Sequence, residues 1–167
     1  MMNYFKLLEL EEKYDLDSAY LNKHYFSAQA KYHPDRASNT LQKQQYQDIS
    51  TNLNKAYSIL KNDLKRAEHI LNLKNIATDE ASLKSKISKE KLAIIWQSYE
   101  EFEETNSQAQ LQHLLEQKNG EQIKLMNELK EAFKNSNLES ALDIVMSFKY
   151  LVSLIDNIKL KIKDANN

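Results

Sequence analysis

The stretch KYHPDRASNT, residues 31–40, decides how the first half of the chain is read. Pro34 fixes its own φ and disfavours α geometry at His33, so a helix arriving from the N-terminal side must stop near Tyr32. Upstream, Leu21, Tyr25, Ala28 and Tyr32 recur at spacings of four, three and four. That is one face of a helix starting near Ser18, where Asp15, Asp17 and Ser18 offer N-caps. Downstream, Ile49, Leu53, Ala56 and Leu60 form the stripe of a second helix over about 41–60, with Tyr46 and Tyr57 beside it. Two long helices joined by the polar loop His33–Thr40 predict an antiparallel hairpin. A short apolar run, Tyr4 to Leu10, precedes it. Asn62-Asp63 ends the second long helix and caps a shorter one over 64–73.

Composition agrees with helices throughout. The 167 residues include one Gly, one Pro and no Cys. Average usage is about 7% Gly and 5% Pro. So sparse a supply excludes hairpin-rich β folds and Gly-rich phosphate loops. The missing cysteines exclude disulfides, thiol nucleophiles and thiolate metal ligation. With 23 basic and 24 acidic residues the net charge is −1, so no global basic field points to nucleic acid. No apolar run is long enough to span a membrane, and MMNYFK has neither a signal-peptide nor a transit-peptide pattern.

Residues 76–88, rich in Ser and Thr, are expected to form a linker, with at most a short helical turn. Three longer apolar patterns follow. The first, over 88–104, carries Leu92, Ile95, Trp96, Tyr99 and Phe102. The second, over 108–133, carries Leu111, Leu114, Leu115, Ile123, Met126, Leu129 and Phe133, with Gly120 inside it as a possible kink. The third, over 138–162, carries Leu142, Val145, Met146, Tyr150, Leu154, Ile158 and Ile162. Short polar connections such as Asn135-Ser136-Asn137 predict a three-helix bundle over 89–167. The expected fold is therefore all-α, with a helical hairpin domain over 1–75 and a C-terminal three-helix bundle.

The triplet His33-Pro34-Asp35 carries the most chemical information. Pro34 stiffens the turn, Asp35 offers two oxygens suited to a bidentate Arg, and His33 presents one donor and one acceptor. No nucleophile or metal-ligand spacing accompanies it. This suits a rigid polar plug for another protein better than a catalytic centre. With YFKLLEL at 4–10, KYHPDR at 31–36 and LNKAYSILKNDLKRAEHIL at 53–71, residues 2–73 resemble a J domain, the module that activates DnaK-type chaperone ATPases. The resemblance implies that His33, Pro34 and Asp35 dock on such a chaperone, steered by Lys23, Lys31 and Arg36. Asn22, Phe26 and Ser27 stand where many J domains are basic, which implies a specialised partner.

A J domain followed by a helical bundle, with no Gly/Phe-rich linker and no Cys-rich zinc module, resembles the HscB family of iron–sulfur co-chaperones. KRAEHILNL, 65–73, is similar to that family's RAEYLL-type segment, and LAIIWQSYEEFEE, 92–104, to its scaffold-binding helix. The resemblance implies a scaffold-binding surface of Leu92, Ala93, Trp96, Gln97, Glu100 and Glu104, completed by Tyr150. Leu92, Trp96, Glu100 and Glu104 recur every four residues along one stripe. Ala93 and Gln97 depart from the family's usual Met and Glu. Leu and Trp at such spacing usually mean core, and Ile95, Tyr99 and Phe102 lie about 100° away as a competing buried face.

The implied partners are an HscA-like DnaK-type chaperone and an IscU-type scaffold. The expected setting is the bacterial cytoplasm, the expected state a monomer, and the expectation is no enzyme activity, cofactor, metal, nucleic acid or membrane. His69 is expected at a helix edge and His113 exposed. Three alternatives stay open: a J-domain protein with another client, a small enzyme using His33 as base, and a bundle that oligomerises through Trp96.

Overall fold

The computed structural model describes residues 1–84 and 86–165 and is helical throughout, with no strand among them. The chain divides into two compact units, Met1–Ile76 and a second beginning at Ala77.

The first unit holds α1 (Tyr4–Leu7), α2 (Ser18–Lys31), α3 (Thr40–Lys61) and α4 (Asp63–Leu73). A single 3₁₀ turn, Pro34–Arg36, sits between α2 and α3. The start signals are Asx caps: Asn3, Asp17, Asn39 and Asn62 each accept the N–H three residues on. Leu21 from α2 and Leu53, Ala56 and Leu60 from α3 are buried with Phe5, Leu8 and Tyr14. Beside this core, the Tyr25 ring of α2 stacks on Tyr57 of α3 at 4.2 Å between centroids.

Arg66 of α4 is buried and fully used. Its Nε donates to the Tyr14 carbonyl at 2.8 Å, its Nη1 donates to the Leu60 carbonyl at 2.7 Å, and its Nη2 pairs with Asp63. A buried cation is tolerated only when it is so paired. His69 departs from expectation, being buried and not at a helix edge. Its Nε2 accepts the Tyr4 N–H at 3.1 Å, and its ring stacks on Tyr4 and Phe5. The reason is that Tyr4 opens α1, and its N–H has no intrahelical acceptor.

The second unit holds α5 (Glu80–Lys84), α6 (Lys89–Glu104), α7 (Gln108–Lys134) and α8 (Leu138–Asp164). The stretch 76–88, expected as a linker with at most a short helical turn, contains that turn as α5, and Thr78 and Leu83 are buried. Asp79 starts that turn by accepting the Ser82 N–H at 3.0 Å, and Lys149 of α8 donates to the Thr78 carbonyl at 2.9 Å.

Helices α7 and α8 are joined at Asn135–Asn137 and share a core of Leu111, Leu114, Leu129 and Ala132 with Ala141, Val145, Phe148 and Ile158. The helix α7 runs through Gly120 unbroken. Ile123, counted in its apolar pattern, is 60% exposed. The buried face passes instead through Leu111, Leu114, Lys118, Leu129 and Ala132, one position out of register with Ile123. Helix α6 is fastened by Phe102, which packs among Leu111, Leu114, Leu154 and Ile158. Polar ties reinforce it: Lys91 pairs with Asp143, and the buried Lys118 sits 3.5 Å from Glu101 and 3.0 Å from Glu121.

Candidate functional site

The turn after α2 is built by the triplet itself. Pro34 occupies the first position of the 3₁₀ turn, where the absent N–H costs nothing, and His33 is the cap. The His33 Nδ1 accepts the Asp35 N–H at 3.3 Å and lies 3.5 Å from Asp35 Oδ2. A neutral imidazole accepting at Nδ1 carries its proton on Nε2, as a donor. The Asp35 side chain is 81% exposed, so its carboxylate is held by the turn yet open to a partner.

Arg36 is already engaged: its Nη1 donates to the Ala30 carbonyl at 2.9 Å, fastening the turn to the end of α2. Lys23 and Lys31 are exposed and border a hollow also lined by Lys6, His24 and Ser27. His24 Nδ1 meets the Leu8 carbonyl at 2.9 Å there.

On α6 burial is graded across the two competing faces. Phe102 is buried and Ile95 and Tyr99 half-buried, whereas Leu92 is 38% and Trp96 62% exposed. Leu92, Trp96, Glu100, Glu104 and Tyr150 line one groove. Ile95, Tyr99 and Glu103, which the four-residue stripe left out, line it too. Their i+3 and i+7 offsets from Leu92 and Trp96 are the signal that could have found them. Ala93 and Gln97 are exposed but do not line it; Gln97 borders a neighbouring polar hollow with Glu101 and Lys118. The groove therefore has an apolar floor and a carboxylate rim. No His/Cys/Asp/Glu cluster fit for a metal occurs among the described residues.

Residues 89–159 match the family model described as the HSCB C-terminal oligomerisation domain. Human co-chaperone protein HscB has the same fold over 96% of this chain and 82% of its own length, at TM-score 0.88 and 25% identity. Residues 89–159 thus belong to the HscB C-terminal family, and the chain as a whole shares the HscB fold. Chaperone HscB from Vibrio cholerae aligns over 98% of this chain and 99% of its own, at TM-score 0.80 and 23% identity. In sequence, the co-chaperone protein HscB of Proteus mirabilis is 43% identical over 77 residues. That stretch covers 45% of this chain and 44% of the Proteus protein, so the chain spans less than half the length of that HscB relative in direct sequence match.

Proposed function

We propose that this chain is an HscB-type co-chaperone with two partner surfaces and no chemistry of its own. The first unit stimulates the ATPase of an HscA-like DnaK-type chaperone through His33, Pro34 and Asp35, with Lys23, Lys31 and Arg36 around them. The α6 groove holds an IscU-type iron–sulfur scaffold on Leu92, Trp96, Glu100, Glu104 and Tyr150, with Ala93 and Gln97 at its margin. Delivering the scaffold to the chaperone promotes cluster transfer to acceptor proteins. A bacterial cytoplasmic setting belongs to the proposal and is supported by the bacterial relatives.

One observation carries the reading: Trp96 and Leu92 stand exposed above a core that Phe102 already fills. An exposed indole beside a half-buried Tyr and a carboxylate rim supports a docking surface for a basic-edged apolar patch. Single-turnover ATP hydrolysis by the chaperone, with and without scaffold, tests it. Stimulation by the chain, increased synergistically by scaffold, is expected. Stimulation indifferent to scaffold supports the second reading, a J-domain co-chaperone with another client, which the family departures at Ala93 and Gln97 favour. No stimulation removes the function assigned to the triplet.

A further inference from the structure

The outward arc of α2 holds a feature the triplet does not account for. Ala19, Lys23, Phe26 and Ala30, spaced four, three and four, are all exposed and form one stripe. Phe26 is 63% exposed, yet its ring is backed. It packs tilted against Tyr25 at 5.2 Å, and Tyr25 stacks on Tyr57 of α3. The Tyr25 hydroxyl donates to Asn54 Oδ1 at 2.7 Å, and Gln29 donates to the same oxygen at 2.6 Å. Three rings thus form a ladder across two helices, with Phe26 as its outermost rung. A ring held in this way offers large contact area while losing little freedom on binding.

Charge describes what such a ring would meet. The 14 residues of α2 contain no carboxylate, while Lys23 and Lys31 are exposed on it and Arg36 follows just beyond. An apolar anchor among cations with no acidic residue on their own helix complements an apolar pocket edged by carboxylates. We infer that Phe26 is the specificity-determining anchor of the chaperone-facing surface, seated in such a pocket on the ATPase domain of the DnaK-type partner. This rests on the co-chaperone reading above. Ring burial, not charge number, then sets the affinity, and the few cations set only the salt dependence.

The test titrates the full chain into single-turnover ATP hydrolysis by the HscA-like chaperone at low and high salt. Phe26→Ala should raise the half-maximal concentration by about tenfold or more, the range of an interface anchor. The maximal rate and the salt slope should stay those of the parent. Lys23→Ala should instead flatten the salt slope, and Phe26→Leu should recover part of the lost affinity. Phe26 is exposed, so an unchanged melting temperature shows that folding is not the cause. A Phe26→Ala titration superimposing on the parent, with Asp35→Asn inactive, overturns the anchor and leaves the co-chaperone reading standing. Full stimulation by Asp35→Asn overturns that reading and the anchor with it. A concentration-dependent mass for the chain alone, lost in Phe26→Ala, would assign the ring to a second copy and also overturn the inference.

Discussion

His69 shows how much one side chain can hold. It is 5% exposed, accepts the first N–H of α1, and carries the Tyr4 and Phe5 rings on its face. Burial lowers its pKa, and the Glu12 carboxylate nearby pulls the other way. Partial burial raises the pKa of Glu12 itself, but the Lys74 ammonium at 3.0 Å and the Asn3 amide at 3.0 Å bring it below the usual carboxylate value. A histidine whose folded pKa is depressed stabilises the fold while neutral. That stability falls as pH drops below the unfolded value of about 6.5, because the unfolded chain takes up the proton first. The urea midpoint should therefore fall between about pH 7 and pH 5 more steeply in the parent than in His69→Gln, which keeps an acceptor and cannot titrate. Parallel profiles for the two proteins would refute the assignment. Nothing in the local sequence announces this. KRAEHILNL reads as a polar-edged helix, and the N–H that His69 caps lies 65 positions away. The triplet, by contrast, was legible because Pro34 and the flanking helix patterns act through local backbone geometry.

Among the helices, starts were easier to read than stops. Asn, Asp and Ser caps open α1 to α4 and α6 to α8 and mark most boundaries in the sequence. The stops of α1, α4 and α7 use left-handed residues that are not glycine: Glu9 has φ 55°, Asn75 φ 60° and Ser136 φ 55°. After α7 the Asn137 N–H closes on the Ala132 carbonyl at 2.8 Å and the Ser136 N–H on that of Phe133 at 3.1 Å. Serine has no intrinsic reason to adopt this backbone, so Ser136→Gly should stabilise the chain by about 0.5–1 kcal/mol, the left-handed strain less the added chain entropy. Gly120 is the converse case. It lies inside α7, and a Cβ built there meets nothing within 4 Å. Gly120→Ala should add about 1 kcal/mol in urea denaturation. A loss of stability in either variant would show that the backbone at that position answers to something besides helix geometry. The five-residue α5 could be read only as a short helical turn, because so short a helix has no periodicity to detect, and Ile123 misled because it lies one position out of register with the buried face of α7.

At the scale of the whole molecule, the two proposed surfaces lie in different compact units, Asp35 in the first and Trp96 in the second. Each unit has its own core, so a substitution at one exposed surface should leave the other surface's affinity unchanged. What couples them is the covalent chain. Tethering two ligands raises the local concentration of one at the other, to the millimolar range for a short connection. Synergy in ATP hydrolysis should therefore need both surfaces on one chain. Trp96→Ala should weaken scaffold binding by about 2 kcal/mol in calorimetry, as removal of an interface anchor does. It should keep the scaffold-independent stimulation of the chaperone and lose the synergy. Asp35→Asn should bind scaffold as the parent does and stimulate nothing. Mixing the two variants supplies both intact surfaces on separate chains and should not restore synergy. If the mixture performs like the parent, tethering is not the mechanism. An association between copies would then have to bring the two surfaces together, and sedimentation of the mixture would have to show it.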